Sequence, residues 1–100
     1  MIELSGFESV EDIAKLRETA AAAMLSRKAL IEYLRRCKRG ELSAPEVSAI
    51  ASDLEFVDEV EYEHGAEKMI ATALFEIASP EMHGVLTPEY CSDLIDFLEG

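Results

Sequence analysis

The side chains able to do chemistry in this sequence are mostly carboxylates: twenty-one Asp and Glu against two His and two Cys in 100 residues. Six of them, Glu55, Asp58, Glu59, Glu61, Glu63 and Glu67, crowd into thirteen residues, with Phe56 and Tyr62 interleaved. Paired carboxylates act as general acid and base only where a pocket drives their pKa values apart. A run this polar must largely face water instead. Glu61-Tyr62-Glu63-His64 carries the Glu-x-x-His spacing that sets two ligands on one helix face in di-iron bundles. Such a centre takes two copies of that spacing and two further Glu. The second histidine, His83, stands between Met82 and Gly84 without a matching Glu three residues before it, so no metal centre is expected.

Cys37 and Cys91 are too far apart in sequence for a Cys-x-x-Cys redox or zinc element. Neither has a neighbouring histidine to activate it, and both fall on apolar helical stripes, where cysteine serves as a small hydrophobe. The five glycines, at 6, 40, 65, 84 and 100, are isolated and form no phosphate-cradling loop. The expectation is a protein with no catalytic residues and no cofactor.

The formal net charge is −12, unevenly spread. Residues 1–40 hold eight basic side chains against six acidic ones, and residues 41–100 hold fifteen acids and only Lys68. A field of that sign repels nucleic acid and anionic membranes and attracts basic proteins. The basic run Arg35-Arg36-Cys37-Lys38-Arg39 reads as charge favoured at a helix C-terminus. The longest apolar stretch, Ala20–Leu25, is far short of the roughly 20 residues a bilayer span takes. The first six residues are acidic and lack the basic start and apolar core of a secretory leader. With two free thiols, a reducing cytoplasm is the expected location.

The elements that must position these groups read as helices. Apolar residues recur at steps of three and four from Ser9 to Arg39, with Ser9 and Asp12 as a capping box. A break near Met24–Arg27, with Ser26 capping a second helix, would divide that stretch, and the sequence leaves one helix or two open. Ser43-Ala44-Pro45-Glu46 opens the next helix, with Leu42 and Val47 as a hydrophobic staple. Phe56–Glu63 is either extended or a continuation of that helix. Ala66–Ala78 is helical and ends at Pro80, with a loop to Leu86. Thr87-Pro88 opens the last helix, whose buried stripe is Cys91, Leu94, Ile95 and Leu98. The sum is a single domain over residues 1–100, an all-α bundle of four to five helices. Phe7, Phe56, Tyr62, Phe75 and Phe97 are the expected bulky core anchors.

A small acidic bundle in which Gly40-Glu41-Leu42-Ser43-Ala44-Pro45-Glu46-Val47 opens a middle helix resembles the bacterial immunity proteins of the colicin D type. That resemblance implies a cytoplasmic inhibitor held against a nuclease toxin by acids that occlude the toxin's substrate site. The eight residues are caps, so the family passes on no contact residue. On charge alone, the expected partner-binding set is Glu55, Asp58, Glu59, Glu61, Tyr62, Glu63 and Glu67, facing a basic protein. The alternative is a helical adaptor or homodimerisation module that binds through an apolar helix face, and oligomeric state stays open.

Overall fold

Six helices and three short strands follow one another along residues 1–100, all of which the computed structural model describes. Strand β1 (Ile2–Glu3) leads to α1 (Val10–Thr19), β2 (Ala23–Leu25), α2 (Arg27–Lys38) and α3 (Ala44–Phe56). Strand β3 (Val60–Tyr62) then precedes α4 (Glu67–Ala78), the single turn α5 (Pro80–His83) and α6 (Pro88–Glu99). The strands form one parallel sheet in the order β1-β2-β3. Parallel neighbours demand crossovers, which α1 supplies between β1 and β2, and α2 with α3 between β2 and β3.

The sheet corrects the all-α expectation: the protein is mostly helical, with a three-stranded sheet set among the helices. It also settles the long first segment. The alanine run does not extend α1, although alanine is the best helix former. Ala20 turns into the left-handed region at φ 52° and ends the helix. Ala23 and Leu25 then bury completely on β2 while Met24 between them stays half-buried. Tertiary burial on a pleated strand outweighs local propensity here. Ser26 caps α2, its Oγ accepting from the Ala29 amide at 3.1 Å, so the stretch holds two helices with a strand between.

Both capping boxes form. Ser9 and Asp12 exchange bonds of 3.0 and 3.1 Å, and Ser43 and Glu46 bonds of 3.1 and 3.2 Å. Leu42 and Val47 are both buried in the core. Thr87 caps α6 by accepting from the Tyr90 amide. The expected loop after Ala78 contains the extra turn α5, closed by the Gly84 amide donating to the Pro80 carbonyl at 2.8 Å.

Helix α2 packs most extensively on α6, α3 on α4, and α1 on α3. The expected aromatic anchors are a second correction. Phe7, Phe56, Phe75 and Phe97 are exposed, at 61, 66, 45 and 43 %, and Tyr62 is half-buried. The reason is phase: Phe75 follows the buried Leu74 and Phe97 precedes the buried Leu98, each about 100° off its helix's stripe. Aliphatic side chains fill the interior, and the one aromatic ring fully inside is Tyr33. Its hydroxyl donates to Glu8 Oε1 at 2.9 Å, the partner that a buried phenol requires.

Candidate functional site

The acidic segment forms a corner where α3 ends, β3 runs and α4 begins. Strand β3 is an edge of the sheet, paired only to β2. The Ala23 amide donates to the Glu59 carbonyl at 3.0 Å, and the Glu63 amide to the Leu25 carbonyl at 2.9 Å. These two bonds bracket the strand and fix where its side chains stand.

Glu55, Asp58, Glu59 and Glu61 are exposed, and none takes part in an ion pair. Glu55 lies in the last turn of α3, which carries no basic residue, so its charge opposes the negative end of the helix dipole. Partial burial pushes its carboxyl above the usual range. The Tyr62 phenol is also raised, first by burial and then by the charge of Glu55. The fold thus sets Glu55 beside Tyr62, seven residues on.

Glu63 and Glu67 are engaged within the chain. Glu63 caps α2 from outside it: the Arg27 amide donates to Oε1 at 2.9 Å, and the Arg27 guanidinium lies 3.3 Å from Oε2. The amide bond is the main cause that holds the Glu63 carboxyl low, with the guanidinium adding to it. Glu67 accepts from the Gly65 amide at 2.8 Å, with His64 Nδ1 at 3.6 Å. Glu61 sits on a strand and His64 beyond it in the turn, so the Glu-x-x-His spacing does not fall on a helix. No group of three or more His, Cys, Asp or Glu is placed to hold a metal ion.

Phe56, beside the acids in sequence, carries the Arg17 guanidinium 5.6 Å above its ring centroid. Arg17 also pairs with Asp53 at 3.2 Å, which ties α1 to the end of α3. The basic run is largely neutralised nearby. Arg39 binds Glu32 and Glu41, and Arg36 donates to the Gly6 carbonyl at 2.9 Å. Arg35 and Lys28 instead join Arg27 along an open groove of about 490 Å³ floored by Ile31 and Leu98.

A second acidic face went unread in the sequence. Glu89, Asp93, Asp96 and Glu99 are exposed on α6 with Phe97 beside them, and none is in an ion pair. Their steps of four, three and three are the complement of the buried stripe on the same helix, which was the available signal.

No protein family, no characterised protein and no solved structure matches the chain. No helix is long and apolar enough to cross a membrane. Fold and site define a mostly helical, acid-faced domain with a small parallel sheet.

Proposed function

We propose that this protein is a cytoplasmic, stoichiometric inhibitor of the bacterial immunity or antitoxin kind. It occludes a basic, nuclease-type protein with its acidic corner and performs no catalysis. One observation carries the reading: Glu55, Asp58, Glu59 and Glu61 stand exposed and unpaired around an edge strand. Glu55 even sits where its charge works against its own helix. Acids so placed gain little from the fold and steer a cationic partner at long range. Carboxylates can stand where a nuclease would hold phosphates. Tyr62, half-buried beside Glu55, supplies contact area that loses water on docking.

The test has two parts. Affinity capture from the native host at low and high salt identifies the partner, and stopped-flow mixing then measures association. The expected partner is a basic nuclease, inhibited at one to one. The variant with Glu55, Asp58, Glu59 and Glu61 all changed to Gln should associate about ten times more slowly at low salt, with the difference shrinking as salt rises. An unchanged on-rate in that variant rejects the corner as the docking surface.

The second reading, an adaptor or self-associating module, rests on a different surface. Exposed Val85 lines a cleft of about 150 Å³ with Pro45, Pro80 and Leu86, Met82 on α5 is exposed as well, and exposed Phe75 contacts His83 edge-on at 5.5 Å. A partner retained equally at both salts, or self-association seen by light scattering, would favour it.

A further inference from the structure

Two cysteines that stand 54 positions apart in sequence meet in the fold. Cys37 lies in the last turn of α2 and Cys91 in the second turn of α6, on the two helices that pack most extensively together. Both thiols are free. Arg27, Lys28 and Ile31 at the start of α2 line one groove with Leu98 and Glu99 at the end of α6. The two helices therefore run antiparallel, and the last turn of α2 lies against the first turns of α6. There Cys37 is near enough to act on the Cys91 thiol. Their surroundings differ. Cys91 is completely buried in the core, whereas Cys37 packs against that core yet keeps a face to solvent. An accessible thiol with a sheltered partner in reach is the arrangement of an attacking and a resolving cysteine.

We propose that Cys37 and Cys91 form a redox modification site, oxidised by a small disulfide such as glutathione disulfide to an intramolecular bond between α2 and α6. The Cys37 thiolate attacks one sulfur of glutathione disulfide. That S–S bond breaks, a mixed disulfide forms on Cys37, and the first glutathione leaves as a thiolate that takes up a proton. The Cys91 sulfur then attacks the Cys37 sulfur, and its proton passes to the glutathione thiolate that this attack displaces. The protein disulfide forms and the second glutathione departs and is protonated. Two protein thiols are oxidised and one glutathione disulfide is reduced to two glutathiones.

Burial, with the neighbouring Cys37 second, pushes the Cys91 thiol up to about 12. Cys91 presents no surface to solvent whereas Cys37 does, so the oxidant meets Cys37 first. The new bond would close a loop that contains α3, β3 and α4, and so the whole acidic corner. It would staple that loop to the face where α2 and α6 meet, leaving the exposed acids free.

The experiment incubates the folded, full chain with glutathione disulfide and follows it by intact mass and tryptic mapping. The wild type should lose about 2 Da through the two departing hydrogens. A single cross-link should join the dipeptide Cys37-Lys38 to the fragment beginning at Met69, and the denaturation midpoint should rise until reductant is added. Cys37→Ser should stay reduced while folded, because Cys91 is out of the oxidant's reach. Cys91→Ala should stop at the mixed disulfide. If Cys91→Ala fails to fold by circular dichroism, the wild type and Cys37→Ser decide the matter. A wild type that halts at the mixed disulfide, forms only dimers between chains, or stays reduced overturns the proposal.

Discussion

The segment from Leu4 to Ser9, laid over α2, and the corner from Glu55 to Glu67 both turn on carboxylates, and they treat them in opposite ways. In the first, Glu8 accepts from the Ser5 and Gly6 amides, the Ser5 hydroxyl and the Tyr33 hydroxyl. Burial alone would raise its carboxyl, but these bonds together bring it below the usual value. In the corner, Glu55 is partly buried with no partner, and its carboxyl rises. The first carboxylate is a structural member, held from all sides. The second is a charge that the fold tolerates without using. That difference separates acids that hold this protein together from acids available to something else.

The largest expected effect lies in the backbone of the first region. Gly6 has φ +93°, and a β-carbon there would sit 2.7 Å from the Ala29 carbonyl oxygen and closer still to the Glu32 side chain. Gly65, in the corner, has a similar φ of +87° with nothing within 4 Å of such an atom. Gly6→Ala therefore adds a collision with α2 to the cost of the left-handed backbone, about 3 kcal/mol in total. Gly65→Ala bears the backbone cost alone, about 1 kcal/mol. Urea denaturation of both variants measures the gap. Equal losses would mean that the segment does not press on α2 as described.

Next in size is Tyr33→Phe. The ring stays in the core, and Glu8 loses one donor in a partly buried place, for about 1.5 kcal/mol at neutral pH. The pH dependence sharpens the point. Because the folded pKa of Glu8 lies below its unfolded value near 4.5, its stabilisation is complete above that value. It is lost as pH falls through the depressed folded one. Without the Tyr33 hydroxyl the depression shrinks, so Tyr33→Phe should lose less of its remaining stability between pH 5 and 3 (an interval of about 2 units) than the wild type does. Parallel acid profiles would remove Glu8 from the account.

The same two regions show where sequence reading succeeds and where it stops. Caps and stripes were legible because their chemistry is local: Ser43 reads Glu46 three residues on, and Cys91, Leu94, Ile95 and Leu98 declare one face of one helix. The strands were less so: extended chain was one of two readings for Phe56–Glu63, where β3 lies, and β1 and β2 went unforeseen, because each strand runs to only two or three residues. At that length no alternation can develop, and their pairing joins Ile2 to Ala23 and Ala23 to Val60. The Glu8–Tyr33 bond spans 25 positions and has no local signature. Within the corner, exposure of the acids followed from charge density alone. The inward turn of Glu63 depended on where Arg27 would lie, which the sheet decides.

The smallest expected effect is the one that tests the corner without its partner. Glu55→Gln removes a charge from the C-terminal turn of α3 and from a partly buried place, and it leaves size and shape unchanged. Both consequences favour the fold, by about 0.3–0.5 kcal/mol at pH 7. The sign of the pH dependence is opposite to that of Glu8. With the folded pKa of Glu55 raised above its unfolded value, the folded chain holds the proton more tightly. Ionisation therefore costs stability as pH climbs through that interval. The gain from Glu55→Gln should then be present at pH 7 and vanish near pH 4, where wild-type Glu55 is itself largely protonated. Thermal melts of the two proteins at both pH values measure it. A variant less stable than wild type at pH 7 would mean that Glu55 has an internal partner after all, and would shift the docking surface towards Asp58, Glu59 and Glu61. A more stable variant that also binds more slowly would mark Glu55 as a residue kept for binding at the expense of the fold.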